Sequence, residues 1–400
     1  MGSAHLVGII VVAAVVGGCR PADAPAGRSP LLGSSVPVAT AADTSPPSTT
    51  GTTVDTPATG GSGLDDTATT TGSSGCGSPA PASGLVRFDH DGVERTYALQ
   101  VPEDYDADVP TPLVLAFHGW GGSEQEYLVS PTVTEQTDAR GYVLVVPRGL
   151  GAGPPDQSLN SWSFRGSTTG LDGDGVRSDV VGDTTDICDD AATGDYTYAS
   201  CQGTAANGCS WTHCRDDDVD FVLDLLASLE QSLCIDPRRI YATGGSNGGM
   251  FTWELAQDPR SAPRLRAVAP LIGLPHRGYH DGKGRPDDLP VLLITGTRDA
   301  TVPPGAFDDP GFTVTTDGDR YFYTGATAIT QAFAASHGCD TTGLATPFEV
   351  ATTAELDCRT HCGDDPGWPR VLDCRAPMGH TYQFTWAWPL ILDFFDRFGV

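Results

Sequence analysis

An apolar run, Arg239 to Thr243, passes without a break into Gly244-Gly245-Ser246-Asn247-Gly248, and a helix-like stretch, Gly249 to Gln257, leaves it. Few patterns restrict a fold more. A strand that turns at once into a helix needs small residues around the turn, and it holds the turning side chain, Ser246, at the tip. The new helix also aims its N-terminus at whatever lies above that serine, a direction that favours negative charge. The pentapeptide alone is a weak signal, because Gly and Ser fill ordinary loops. The strand before it and the helix after it supply the weight.

The surrounding chain alternates between the same two kinds of element. Leu113 to Phe117, Tyr142 to Val146, Ala267 to Ile272 and Val291 to Thr295 are short apolar runs of the kind buried on both faces of a sheet. Leu85 to His90 and Val93 to Val101, joined by Asp91-Gly92, read as a β-hairpin, and Arg370 to Asp373 as a further strand. Asp217 to Leu233 places Val219, Val222, Leu226 and Leu229 on one helical stripe, with aspartates at its positive end. Ala326 to Ser336 and Pro389 to Phe398 are further helices, with Trp386 and Trp388 as core residues beside the last one. The alternation predicts an α/β fold with a mostly parallel central sheet flanked by helices.

A serine hydroxyl is a poor nucleophile at neutral pH, so it needs a base, an orienting acid and an oxyanion hole. In a strand–elbow–helix architecture the chain order is serine, acid, histidine. Asp299 follows the Val291–Thr295 strand in Gly296-Thr297-Arg298-Asp299, at a strand's carboxyl end; Asp308 and Asp309 follow no strand so directly. Of the three later histidines, His337 falls in an Ala-rich helix and His361 in a Cys-rich stretch, whereas His380 stands in a loop after a strand. His118-Gly119-Trp120-Gly121-Gly122 directly follows the Leu113–Phe117 strand, and such a loop can turn backbone N–H groups toward a ligand. The candidate oxyanion donors are the amides of Trp120 and Asn247, with His118 holding the loop through its ring nitrogens.

Leu6 to Gly18 is an apolar run ending in Val16-Gly17-Gly18-Cys19, which reads as a lipoprotein signal at residues 1–18 that leaves Cys19 as the lipidated first residue. An ordinary secretory signal is the alternative, and both export the chain. Residues 19–74 are dominated by Thr, Ser, Ala, Gly and Pro with scattered Asp and without one aromatic, a composition that cannot offset chain entropy by burial. They read as a disordered tether before a catalytic domain at 75–400. The formal charge of 23 − 51 = −28, with Lys283 the only lysine, excludes phosphate-neutralising nucleic-acid binding and a polybasic membrane patch. The membrane is then reached only through a lipid anchor at Cys19.

Setting Cys19 aside, ten cysteines remain, an even number that suits disulfides in an exported chain. They group as Cys188, Cys201, Cys209 and Cys214; Cys339, Cys358, Cys362 and Cys374; and the pair Cys76 and Cys234, stapling the start of the domain to its body. A Cys214–Cys234 bridge is excluded if the helix between them is continuous, because it would hold the two roughly 30 Å apart. Metal sites built on Cys209, His213 and Cys214, or on Cys358, His361 and Cys362, are the less favoured reading. Two polar, disulfide-pinned insertions, about 166–215 and 340–370, interrupt the alternation. The first should lie at the carboxyl edge of the sheet. Its Asp172-Gly173-Asp174-Gly175 lacks the further ligands of a calcium loop and reads as a solvated turn.

From Cys76 to Val400 the chain resembles the α/β-hydrolase esterases of the polyhydroxybutyrate depolymerase and feruloyl esterase type. The resemblance is carried by Gly75-Cys76-Gly77, Arg95-Thr96-Tyr97, Pro112-Leu113-Val114, His118-Gly119, Pro147-Arg148-Gly149, Cys234-Ile235-Asp236, Ser246-Asn247-Gly248-Gly249-Met250, Gly296-Thr297-Arg298-Asp299 and Gly379-His380-Thr381. It implies the α/β-hydrolase fold, a Ser246–Asp299–His380 triad, no metal or other cofactor, and hydrolysis of acyl esters, with a polymer-derived ester as substrate. Trp162 stands where the family often has a tryptophan by the acyl pocket; wall of that pocket and simple core packing are the two readings. The chain departs from the family after its histidine, with Tyr382-Gln383 in place of Trp-Pro, and in the two insertions. A peptidase on the same scaffold and a non-catalytic surface-binding module are the competing functions. Neither an amine-recognising acidic pair nor a broken constellation is present in the sequence to favour them.

Overall fold

The computed structural model describes residues 72–151, 159–167, 187, 198, 200, 212–215, 217–279, 289–316, 321–363 and 367–399. The chain divides into two units, Met1–Asp66 and Thr67–Val400. The first unit, with the signal segment, Cys19 and nearly all of the 19–74 tether, lies outside the described residues. So do Cys188, Cys201, Cys209 and the Asp172–Gly175 turn.

In the second unit, ten of the described strands form one sheet, and it is built outward from a central parallel pair. Strands β3 (Thr111–Phe117) and β5 (Ile235–Gly245) run parallel at its centre, with Phe117 opposite Gly244. On one side follow β4 (Val143–Pro147), then β2 (Val93–Gln100) and β1 (Gly84–His90), the last two forming the expected antiparallel hairpin. On the other side follow β6 (Ala267–Leu271), β7 (Val291–Gly296) and β12 (Val371–Ala376), all parallel. The order is therefore β1-β2-β4-β3-β5-β6-β7-β12, with β11 (Asp357–Thr360) and β10 (Thr346–Pro347) beyond it. This is the α/β-hydrolase sheet. Because the chain steps from β3 out to β4 and back across to β5, the carboxyl ends of β3 and β5 open side by side, where such sheets bind ligands.

Successive residues on each strand feed opposite cores, as a pleated strand requires. Leu113, Leu115 and Phe117 pack on one face with helices α2 (Asp218–Ser232), α3 (Asn247–Gln257) and α4 (Ala326–Ser336). Val114 and Ala116 pack on the other with α1 (Pro131–Ala139) and α5 (Phe384–Arg397). Helix α5 begins five residues before the expected Pro389, which lies inside it. A proline there forfeits one hydrogen bond, to the carbonyl of Thr385. Thr385 is exposed, so water can serve that carbonyl, while Trp388 is buried and donates from Nε1 to Thr137 Oγ1 at 3.0 Å. Trp386 is only partly buried.

The expected cysteine grouping is seen where the residues are described. Cys76 pairs with Cys234, Cys339 with Cys362, and Cys358 with Cys374. Cys214 is also disulfide-bonded. Cys358 and Cys362 are thus not thiolates that could bind metal, and no cluster of metal-ligating side chains occurs among the described residues. The second insertion is more than a pinned loop. Its residues form β10 (Thr346–Pro347) and β11 (Asp357–Thr360), which extend the sheet, β11 antiparallel to β12 and β10 antiparallel to β11, with Cys358 directly opposite Cys374. A short hairpin of β8 (Phe312–Val314) and β9 (Phe322–Thr324) stands apart from the main sheet.

Candidate active site

The turn after β5 concentrates strain in one residue. Ser246 has φ 56° and ψ −119°, a conformation that L-residues avoid and that tight functional turns retain. Its neighbours Gly244 and Gly248 do not have positive φ; they are needed for close approach. A Cβ on Gly244 would strike the Gly248 carbonyl, and one on Gly248 would strike the carbonyls of Phe117 and His118. The glycines let helix α3 press against both β3 and β5, and the serine absorbs the twist. Ser246 N–H donates to Leu271 O at 2.9 Å, fixing the elbow to β6.

The structure brings together the three side chains singled out in the sequence. His380, in the loop after β12, has Nε2 2.7 Å from Ser246 Oγ and Nδ1 2.7 Å from Asp299 Oδ2. Asp299, in the loop after β7, has a fully buried side chain, and its Oδ1 accepts N–H bonds from Thr301 and Val302, both at 2.9 Å. With its other oxygen so occupied, the carboxylate presents Oδ2 to the imidazole and selects the tautomer with hydrogen on Nδ1. Nε2 is then left as the acceptor facing the serine hydroxyl. The histidine side chain is one-quarter exposed. His337 and His361 take no part. His337 caps α4 and its Nε2 donates to Leu289 O at 2.9 Å; His361 lies beside the Cys339–Cys362 bridge.

The loop after β3 is held by His118, as expected. Its Nε2 accepts the Gly149 N–H at 2.9 Å, so Nδ1 carries the hydrogen and donates to Gly119 O at 2.7 Å. Complete burial lowers the His118 pKa to about 4, so the ring stays neutral and keeps this arrangement near neutral pH. The Gly119 carbonyl also accepts from Gly122 N–H at 3.0 Å. Because a trans peptide points its N–H opposite to its C=O, anchoring this carbonyl fixes the direction of the Trp120 amide. The amides on either side are committed, Gly119 to Glu126 Oε1 at 3.0 Å and Gly121 to Asn160 O at 2.7 Å. Asn247 opens helix α3, where N–H groups have no intrahelical acceptor.

Trp162 does not form a pocket wall. It is fully buried, stacked on Phe251 with centroids 5.3 Å apart and edge-on to Phe117 at 5.2 Å. Its backbone N–H donates to Asn247 Oδ1 at 2.8 Å and its indole Nε1 to His118 O at 2.9 Å. The core-packing reading is therefore the correct one, and the residue ties the two candidate oxyanion segments together. The first insertion reaches this rim as its position in the chain implied: Trp120 Nε1 donates to Tyr198 Oη at 2.8 Å, and Tyr198 is buried.

Two groups of buried or partly buried polar residues have roles that the sequence did not assign. One is the pair Glu126 and Tyr382, beside the Gly119–Gly122 loop. The other is Asp218 at the start of α2, whose carboxylate receives Arg95 Nη2, His213 Nε2 and Ser163 N–H, each at 2.7 Å. Burial alone would raise the pKa of Asp218, but the facing charges of His213 and Arg95 and the hydrogen bonds outweigh it and hold it well below the usual carboxylate range. A chain of bonds runs from this carboxylate through Ser163 and Trp162 to Asn247, next to the serine.

No family model matches the chain. Among curated proteins it is 24% identical to a probable feruloyl esterase C of Aspergillus niger over 282 residues, 69% of this chain and 73% of that protein. It is 26% identical to feruloyl esterase D of Neurospora crassa over 232 residues, 58% of this chain and 62% of that one. Among solved structures, an acetyl xylan esterase from Aspergillus awamori aligns over 78% of this chain and 99% of its own at 13% identity, with a TM-score of 0.46. The fold rests on the sheet order and the elbow rather than on that superposition. With relatives that share an esterase name along two-thirds of its length, on a sheet of this order, the chain is a carboxylic-ester hydrolase of the α/β-hydrolase type.

Proposed function

We propose that Ser246, His380 and Asp299 act as nucleophile, base and orienting acid, and that the enzyme cleaves esters of ferulate-like aryl acids carried on plant-wall polysaccharide. The reading rests above all on one imidazole lying 2.7 Å from both the hydroxyl and the carboxylate. In the first half-reaction Ser246 Oγ attacks the ester carbonyl while its proton passes to His380 Nε2. The carbonyl π electrons move onto oxygen, where the amides of Trp120 and Asn247 receive the charge. Collapse expels the alkoxide, which takes the proton from Nε2 and leaves as the alcohol. Water then attacks the acyl-serine by the same route, releasing the acid and restoring the hydroxyl. Asp299 keeps its charge throughout and stabilises the imidazolium.

The names of the relatives favour feruloyl esters over the other acyl groups considered. The test is a panel on purified protein: methyl ferulate, acetylated xylan, poly(3-hydroxybutyrate) oligomers and a peptide amide. Ferulate release is expected to exceed every other product by at least about tenfold in kcat/KM, a gap of about 1.4 kcal/mol. Preferred cleavage of the polyester or the amide would overturn the substrate assignment.

Export belongs to the same proposal, supported by the disulfides, which persist in oxidising compartments. The lipid anchor at Cys19 rests on sequence alone. Cys19→Ser should move the enzyme from the membrane fraction to the soluble fraction; unchanged partitioning would remove the anchor.

A further inference from the structure

Three loops of the site converge on one aromatic residue. Tyr382 lies two positions after His380, and its ring packs so tightly on Gly245, in the elbow, that a Cβ there would overlap it. Its hydroxyl reaches Gly119 of the oxyanion loop, where a Cβ would again collide, donates to Gly245 O at 3.4 Å and faces the Glu126 carboxylate. Glu126 in turn accepts the Gly119 N–H at 3.0 Å and fills the space against Gly122, so it sits inside the turn of that loop. Tyr127, next in sequence, is buried and stacks on the Tyr382 ring with centroids 6.1 Å apart. Burial raises the pKa of Glu126, while the nearby Tyr382 hydroxyl and the Gly119 N–H oppose that rise. The carboxylate is thus held by an N–H of the oxyanion loop and faced by a hydroxyl of the histidine loop, which itself is tied to the elbow at Gly245.

We propose that Glu126 and Tyr382 are positioning residues that set the oxyanion loop relative to the nucleophile and the base. This rests on the triad reading given above. His118 fixes the peptide that carries the Trp120 N–H from its carbonyl side; Glu126 fixes the preceding peptide from its N–H side. With both peptides pinned, the Trp120 amide cannot rotate away as negative charge grows on the substrate oxygen. Neither Glu126 nor Tyr382 needs to touch the ester. Their removal should therefore weaken stabilisation of the tetrahedral state and leave ground-state binding nearly untouched, because an error of about 1 Å in a donor can cost about 10²-fold in rate.

The experiment compares Glu126→Ala, Glu126→Gln and Tyr382→Phe with the unmodified enzyme on p-nitrophenyl acetate. It reads kcat, KM and affinity for a trifluoromethyl ketone that forms a tetrahedral adduct on serine. Glu126→Ala should lower kcat by about 10- to 100-fold with KM changed less than about twofold, and should weaken the ketone by the same factor as kcat. Glu126→Gln, whose amide oxygen can still accept from Gly119, should recover most of that loss. Tyr382→Phe keeps the ring packing and should lower kcat and ketone affinity together, and it carries the test if Glu126→Ala does not fold. A higher KM at constant kcat, or a lower kcat with unchanged ketone affinity, would overturn the proposal. A fluorophosphonate probe separates the two levels. Unmodified enzyme left unlabelled at Ser246 would overturn the triad and the clamp with it, whereas labelled variants of undiminished kcat would overturn the clamp alone.

Discussion

Ser246→Ala is expected to lower the hydrolysis of p-nitrophenyl esters and methyl ferulate by on the order of 10⁴- to 10⁶-fold while the protein stays folded. In the proposed mechanism the loss is this large because removing Ser246 Oγ leaves His380 with nothing to deprotonate except water, and only the amides and binding contacts continue to help. The thermal midpoint should hold or rise slightly. Ser246 sits at φ 56°, and a residue held in that region costs about 1–3 kcal/mol whatever its side chain, so alanine removes a hydroxyl without adding strain. The measurement is a pair of rate assays with a melting curve. Turnover within tenfold of the unmodified enzyme would show that another group performs the attack.

Asp218→Ala is expected to cost about 3–5 kcal/mol of stability, the usual consequence of leaving a buried charge without its partner. Arg95 and Asp218 have side chains with no solvent exposure, and the Arg95 guanidinium otherwise lies over the Phe221 ring at 3.7 Å. Without the carboxylate, Arg95, His213 and the Ser163 amide all lose an acceptor at once. Because the folded protein holds the Asp218 pKa below its unfolded value, the stabilisation is present above about pH 4 and is lost as the pH falls toward the folded value. Urea denaturation at pH 7 and at pH 3 checks both parts. The difference between Asp218→Ala and the unmodified protein should narrow at the lower pH; an equal difference would show that the charge is not the stabilising element.

Much of this architecture was legible in the sequence where local pattern and burial agree. The buried strands read as unbroken apolar runs because both their faces meet helices. The elbow read correctly because a strand, a crowded turn and a helix adjoin without a linker. Yet the role of its glycines was only half legible: close approach of Gly248 to β3 is a fact about a neighbouring strand, and φ at Ser246 has no sequence mark. Trp162 was ambiguous for a similar reason, since an indole that packs on Phe251 and one that lines a pocket obey the same local pattern. Helix α5 was shortened because Pro389 is a strong local stop signal, which tertiary burial of Trp388 overrides. The roles of Glu126, Tyr382 and Asp218 are not legible because they come from partners distant in the chain, such as Gly245 for Tyr382 and Arg95 for Asp218, and no spacing rule links such positions.

The two strands contributed by the second insertion bear on how the molecule meets copies of itself. A parallel sheet that ended at β12 would offer a long row of unsatisfied backbone groups to any passing strand. Here β11 covers that row and is fastened to it by the Cys358–Cys374 bridge, and β10 ends it after two residues, one of them Pro347 with no N–H to give. Growth of the sheet from one molecule into the next is thereby blocked on this flank, so copies crowded together stay separate molecules.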